Sequence, residues 1–414
     1  MEVLYPVCCG LDVHKQTVVA CLISPLPDGQ RHKQLKLFAT ITVELENLAD
    51  WLEAARCTHV AMESTGVYWK PVYNILAGRF ELLVVNAAHI KAVPGRKTDV
   101  KDAEWIAELL QHGLLKASFI PDQAQRELRD LTRTRTILID ERTASVNRLQ
   151  KILEDANIKI AGGKMVSDIM GVSGRAMIEA ILEGQSDPAT LADLAKGKLR
   201  KKRAQLEQAL TGRVSDHHRL LLSMHLEHID FLDESINRLS QELAERLRPF
   251  EEELARLDTI PGVGRLTAEV FAAEVGFDLS HWPSAGHLAS WAGMCPGNDQ
   301  SAGKRLSGKT RKGNKWLRRA LVGAACAAGL KNGSYLQAQY RRLKYRRGQG
   351  KAAVAVGHSI LVIAYCLLSR KDVYHDLDPT YLDDRRRART QRRAVDQLRA
   401  LGYEVTLVPK QPAA

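Results

Sequence analysis

Val7-Cys-Cys-Gly-Leu-Asp-Val-His-Lys-Gln-Thr-Val-Val-Ala-Cys-Leu-Ile23 is the stretch whose reading decides the fold class. Val7 to Val13 and Thr17 to Ile23 are short apolar, β-branched runs and read as two strands. A third strand is expected over Lys36 to Val43, after a Pro- and Gly-containing turn at Pro25 to Gly29. Leu45, Leu48, Leu52 and Ala55 recur at helical spacing and predict an amphipathic helix from Glu44 to Arg56. Two short strands, His59 to Met62 and Glu81 to Val85, flank a helix near Tyr68 to Arg79. Thr98 stands as an N-cap for a helix that runs to about His112 and stops at Gly113. Alternating strands and helices make residues 1–120 an α/β domain.

Four carboxylates in this domain carry its chemistry. Asp12, in Gly10-Leu-Asp-Val-His14, lies inside an apolar strand, where a charge is costly unless cations or donors meet it. Glu63, in Ala61-Met-Glu-Ser-Thr-Gly66, ends a second apolar strand. Asp99 and Asp102, in Lys97-Thr-Asp-Val-Lys-Asp-Ala103, are one helical turn apart and share a face. Oxygen ligands from two strands and one helix suit hard divalent cations such as Mg²⁺, a pair of which stabilises both the attacking and the leaving oxygen of a phosphodiester displacement. Taken singly each acid has a plainer reading, Asp99 and Asp102 as first-turn acids on a helix dipole and Glu63 as a strand-end surface residue.

Beyond residue 120 the chain reads as all-α. Residues 121–253 are charged helix, with a heptad-like seam at Ile229, Leu232, Ile236, Leu239, Leu243 and Phe250 that fits either long antiparallel helices or a dimerising coiled coil. Lys196 to Arg203 is a basic stretch of the kind a solvated helix face carries. Residues 254–372 form a third, helical region, and a basic tail occupies 373–414. Ile260-Pro-Gly-Val-Gly264 has the look of a helix-hairpin-helix turn, in which Gly262 and Gly264 let backbone approach a phosphate and Arg265 opens the next helix. A plain helix-helix turn has the same pattern. Farther on, Ser301 lies in a Gly-bracketed polar loop leading into Lys304, Arg305, Lys309, Arg311, Lys312, Lys315 and Arg318. Such cations hold and polarise a phosphate. Alone, the serine is an ordinary turn residue.

The 414 residues carry 60 Lys and Arg against 48 Asp and Glu, a net charge of +12, which favours a polyanionic partner. Seven cysteines without a C-x-x-C pair indicate neither a disulfide framework nor a structural zinc site. No basic n-region opens the chain, and the longest apolar run, Ala352 to Leu368, is interrupted by His358 and Ser359, so it reads as a buried helix rather than a membrane span. The expectation is a cytoplasmic, nucleoid-associated protein with no membrane partner.

The sequence resembles the DEDD transposases of insertion-sequence family 110. Asp12 matches the family's first acid in G-x-D-x-x-K, Glu63 the second in M-E-x-T-G, and Asp99 and Asp102 the closing pair in K-T-D-x-x-D-A. Pro296 to Lys304, Lys312-Gly-Asn314 and Leu317-Arg-Arg319 resemble the family's C-terminal signature. The resemblance implies an RNase H-like (RuvC-like) first domain and Mg²⁺ at the four acids. It further implies that Ser301 is the nucleophile that joins covalently to DNA, with Ser307 a nearby competitor, and that acids and serine act as one composite site. It also implies donor and target DNA as substrates, a structured noncoding bridge RNA as guide, and a homo-oligomer, dimer or tetramer. Two rivals use the same residues otherwise: a junction-resolving endonuclease working through metal-activated water, and a non-catalytic nucleic-acid scaffold.

Overall fold

The computed structural model describes residues 2–26, 30–64, 66–86, 102–160, 165–166, 168–297, 299–301, 304–307, 309–377 and 381–407. They fall into two compact units, Met1–Asp122 and Gln123–Ala414.

In the first unit the order is β1 (Cys8–Val13), β2 (Thr17–Pro25), β3 (Arg31–Ala39), α1 (Thr42–Ala54), β4 (His59–Glu63), α2 (Trp69–Leu76), β5 (Glu81–Val85) and α3 (Asp102–Gln111). The five strands form one sheet in the order β3-β2-β1-β4-β5. β1, β2 and β3 are antiparallel neighbours, whereas β4 runs parallel to β1 and β5 parallel to β4. Side chains alternate between the two faces of each strand, and both faces are covered. Cys9, Leu11, Val13, Val60 and Met62 pack on Leu45, Leu48 and Leu52 of α1 and Val72 and Leu76 of α2. Cys8, Cys21, Ala61 and Val85 pack on Ala103, Ile106, Ala107 and Leu110 of α3. Full burial of a leucine such as Leu48 is worth about 1.5–3 kcal/mol, so the layers are fixed largely by these rows.

β3 begins at Arg31 and ends at Ala39, earlier than the expected span of 36–43. It is an edge strand, and its pairing from Thr17–Ala39 to Pro25–Arg31 sets its ends. Its exposed Arg31, Lys33 and Lys36 hide it from an apolar-pattern reading while discouraging edge-to-edge association. Thr42 and Val43 join α1 instead. The expected cap Thr98, and Asp99 with it, lie outside the described residues, and so do Pro27 to Gly29 of the expected turn.

The second unit opens with α4 (Gln123–Asp155) and continues through α5 (Val172–Leu182), α6 (Pro188–Asp193), a 3-10 turn (Gly197–Lys202), α7 (Arg203–Leu210) and α8 (Asp216–Leu247). α4 and α8 lie antiparallel along each other. His218 contacts Asp155 at one end, Arg142 is bidentate to Asp233 midway, and Arg246 donates to Glu127 at the other end. Ile229, Leu232 and Leu243 of the seam are buried, while Phe250 stays exposed after the helix has turned. The helices between them close over Ile158, Ile160, Met177, Ile181, Leu206 and Leu210. The Lys196 to Arg203 stretch is solvent-exposed, mostly as the 3-10 turn.

Then come α9 (Glu251–Asp258), α10 (Arg265–Val275), α11 (Ala285–Trp291), a hairpin of β6 (Asp299–Ser301) and β7 (Lys304–Ser307), α12 (Lys315–Ala328), α13 (Tyr335–Arg347), α14 (Gln349–Arg370) and α15 (Tyr381–Ala400). Among the described residues α14 alone has the length and apolarity of a membrane-crossing helix. Its Ala353, Val356, Ile360 and Leu361 are buried, and Gly357 lies against the backbone of Leu321 on α12. The arginine-rich tail is helical over α15.

Candidate active site and nucleic-acid surface

Leu11 and Met62 are the last paired positions between β1 and β4, so Asp12 and Glu63 follow side by side at the carboxyl ends of two parallel neighbours. Both lie two residues beyond small ones, Gly10 and Ala61, that face α3, and so both belong to the α3 face. Gly10 is what lets α3 sit so close: a Cβ there would lie 2.3 Å from the carbonyl oxygen of Ala103 and 2.4 Å from the nitrogen of Ala107. Asp102 is the first described residue of this helix and is half-buried. Asp12 keeps 26% of its side chain exposed and its Oδ2 lies 3.2 Å from Nε2 of His14. His14, just past the strand, was not singled out from the sequence. Its two-residue step from Asp12 along an extended chain was the signal. Among the described residues no three acid, histidine or cysteine side chains come close enough to hold a metal ion together, and Asp99 lies outside them.

Lys33 on β3 pairs with Glu104 at 3.6 Å and with Glu108 at 2.5 Å on α3. The Glu108 hydrogen bond raises the Lys33 ammonium above its usual value and ties helix to sheet edge. Burial pushes the Cys8 and Cys57 thiols up to about 12, and that of Cys21 to about 11. These cysteines are packing groups rather than nucleophiles.

In the second unit the polar loop expected around Ser301 is a β-hairpin. Ser301 ends β6 and pairs with Lys304, whereas Ser307 pairs with Asp299 at the opposite end. The ladder continues outward through the Pro296–Thr310 bridge and the bond from Gly297 N–H to the Lys309 carbonyl, 2.8 Å. At the stem the backbones of Gly293 and Gly313 nearly touch, since a Cβ on Gly313 would lie 2.4 Å from the nitrogen of Gly293. Only glycine fits there.

Asn314 then caps α12, its Oδ1 accepting from Trp316 and Leu317 N–H at 3.0 Å each. Its Nδ2 donates to Glu274 at 2.6 Å. Glu274 is fully buried on α10, and Arg133 of α4 grips it bidentately at 2.7 and 2.8 Å. Arg129 approaches the same carboxylate at 3.5 Å, and burial lowers its guanidinium to about 10. One turn away the buried pair Arg135–Glu269 closes at 2.6 Å. The sequence reading missed this charged core. Its signal was two glutamates, Glu269 and Glu274, inside an otherwise apolar helix.

The network fixes the start of the basic segment. Lys304, Lys309, Arg311, Lys312 and Lys315 are exposed and Arg318 is half-buried, while the Arg305 side chain lies outside the described residues. The Ile260 to Gly264 turn joins α9 to α10 with Gly262 at φ +87°, but the close approach of Gly262 is to α12, where its Cβ would lie 2.2 Å from the Ala324 carbonyl. Gly264 is open to solvent and caps α10. The charge on Arg265 is shared between Glu251 at 2.5 Å and Glu269 at 2.7 Å, so of the three turn residues expected to meet a phosphate only Gly264 presents an unengaged surface.

A carboxylate-bearing sheet end in one unit and a cationic hairpin-and-helix surface in the other are the equipment of a protein that works on a phosphodiester backbone. Comparison with known proteins gives the class. A family model described as a transposase of the DEDD, IS110 type matches residues 9–158, and another described as transposase, IS116/IS110/IS902 family, matches residues 254–341. The chain is 27% identical over 296 residues to a transposase for insertion sequence element IS1111A of Coxiella burnetii, covering 70% of this chain and 72% of that one. It is 25% identical over 323 residues to a probable family 20 transposase of Pseudomonas aeruginosa, covering 76% and 85%. The chain belongs to the IS116/IS110/IS902 family of transposases. It is therefore an enzyme of insertion-sequence recombination whose substrate is DNA.

Proposed function

We propose that this chain is a site-specific recombinase with two chemical centres: an RNase H-like, Mg²⁺-dependent carboxylate site at Asp12, Glu63, Asp99 and Asp102, and a serine nucleophile at Ser301. The observation that carries the reading is the side-by-side placement of Asp12 and Glu63 at one end of a β3-β2-β1-β4-β5 sheet, on the face covered by the helix that Asp102 opens. All-carboxylate oxygen donors suit a hard cation, and Asp99 completes the set. Asp12, Glu63, Asp99 and Asp102 would hold Mg²⁺, which would supply charge neutralisation for a phosphodiester displacement. His14 holds Asp12 in place.

In the serine step, Ser301 Oγ attacks a backbone phosphorus. The Oγ–P bond forms, the P–O bond to the leaving strand breaks, the hydroxyl proton passes to a base and the leaving oxygen takes up a proton. Attack by the incoming strand's hydroxyl reverses this, so bond energy is kept and no net hydrolysis occurs. Lys304 pairs with Ser301 across the hairpin, and Lys309, Arg311, Lys312 and Lys315 continue the positive charge, supporting phosphate capture. A structured noncoding RNA pairs with donor and target DNA, the protein holding both through backbone and shape. Two or four copies assemble the composite site.

The test is recovery of protein under denaturing conditions after incubation with labelled DNA and Mg²⁺, with mapping of the DNA-linked residue. A link at Ser301 that disappears in Ser301→Ala is expected. DNA rejoining that persists in Ser301→Ala rules the serine step out.

A further inference from the structure

Between Gln300 and Lys371 the chain has seventeen lysines and arginines and not one aspartate or glutamate. Everything outside those 72 residues carries 43 Lys and Arg against 48 Asp and Glu, so the whole positive excess of the protein is concentrated there. The hairpin and the start of α12 hold the first half of these charges. Six more, Arg341, Arg342, Lys344, Arg346, Arg347 and Lys351, gather at the corner where α13 passes into α14.

Arg341, Lys344, Arg346, Arg347 and Lys351 are all exposed at this corner, and Tyr345 stands among them with 94% of its surface in solvent. Arg341 and Tyr345 are four residues apart and therefore neighbours on one helix face. Among the described residues, Lys344, Arg346, Arg347 and Lys351 have no carboxylate partner. Cations in a last helical turn complement the helix dipole, which accounts for Lys344, Arg346 and Arg347. It accounts for neither Arg341 nor Lys351, and it gives no reason for a large aromatic ring that buries nothing.

We propose that the α13–α14 corner is a docking surface for single-stranded nucleic acid, with Tyr345 the platform on which an unpaired base stacks and the surrounding cations holding its flanking phosphates. A duplex keeps its bases stacked inside and has no use for the ring, whereas a strand with free bases uses ring and charges together. The surface is independent of Ser301 and of the four acids, resting only on the chain acting on DNA.

The experiment uses the full chain and fluorescent 15-nucleotide oligo-dT and oligo-U, a duplex of equal length, and phosphatidylserine vesicles. Tyr345→Ala should weaken single-strand binding by about 5- to 150-fold, the range that one stacked base supplies, and leave duplex binding unchanged. Tyr345→Phe should bind as the parent does. Loss on oligo-dT alone assigns the surface to DNA, and loss on oligo-U alone to RNA. A 5-iodouracil oligonucleotide should crosslink to Tyr345. Wild-type single-strand affinity in Tyr345→Ala overturns the proposal, as does an equal fall for single strand and duplex, or a loss confined to vesicles. Any of these leaves the recombinase reading standing, because none involves strand cleavage.

Discussion

Asp12 and Glu63 occupy neighbouring positions on parallel strands, one residue beyond the last paired positions, Leu11 and Met62. In register and on one face, they form a pair. Asp12→Asn and Glu63→Gln should therefore each remove DNA cleavage to a similar depth. Losing several kcal/mol of transition-state stabilisation corresponds to about a thousandfold or more in rate. Single-turnover cleavage of a labelled donor site measures it, and normal cleavage by Asp12→Asn would end the carboxylate mechanism.

The close approach of α3 to β1 makes Gly10 a sensitive position. Gly10→Ala places a methyl against the backbone of Ala103 and Ala107, which cannot yield as a side-chain tip does. Overpacking of this kind costs about 1–3 kcal/mol, and the displaced helix carries Asp102 away from Asp12. Thermal unfolding should show a lowered midpoint, with activity falling further than stability explains.

Glu274 should be hard to replace. Glu274→Gln removes the charge that Arg133 and Arg129 face in a buried site, and breaking a buried ion pair from one side costs about 3–5 kcal/mol. Urea denaturation measures this. A double variant that also replaces Arg133 with Met should recover part of the loss, because one of the two guanidiniums deprived of the carboxylate is gone and only Arg129 still lacks it.

Thiol labelling reads the core of the first unit. Cys8, Cys9, Cys21 and Cys57 are buried and burial raises their thiols, whereas Cys295, Cys326 and Cys366 are partly accessible. Iodoacetamide at pH 8 should modify the latter three, with the first four reacting only after denaturation. Mass spectrometry of tryptic peptides gives the answer.

Arg319 on α12 pairs with Asp140 on α4 and holds that carboxyl below its ordinary range. A depressed folded value means the pair stabilises the fold above the carboxyl's unfolded value, near 3.8, and that the contribution is lost as pH falls through the folded value. Both groups are half-exposed, so solvent screening limits it to at most about 1 kcal/mol. Arg319→Ala should lower stability by that amount at pH 7 and by almost nothing at pH 2, as denaturant titrations at the two pH values would register.

The sequence made the apolar parts of the first unit legible. Leu45, Leu48 and Leu52 mark α1 because one face of a helix must be buried, and the runs around Leu11 and Met62 mark β1 and β4 for the same reason. Legibility ended where burial stops governing the residue choice. β3 is an edge strand that opens on Arg, His, Lys and Gln and leaves even Leu35 and Leu37 exposed, and its limits follow from pairing to β2. β6 and β7 are three and four residues long, too short for alternation to register. The sequence shows Glu269 and Glu274 inside an apolar helix but not what they pair with, since their partners lie more than a hundred positions away on α4. Nothing local marks Gly262 as a contact for α12 rather than for a ligand.

The Gly293–Gly313 contact makes the β6–β7 hairpin a cantilever, clamped at its stem with Ser301 near its far end. The three residues of β6, Asp299 to Ser301, give an arm of roughly 10 Å at about 3.3 Å per residue. A tilt of only about 5° then displaces the strand end by roughly 0.9 Å, and about 1 Å of misplacement costs a reacting group on the order of a hundredfold in rate. On the proposed serine mechanism, two glycines at the stem thus set the position of the strand end that carries the nucleophile.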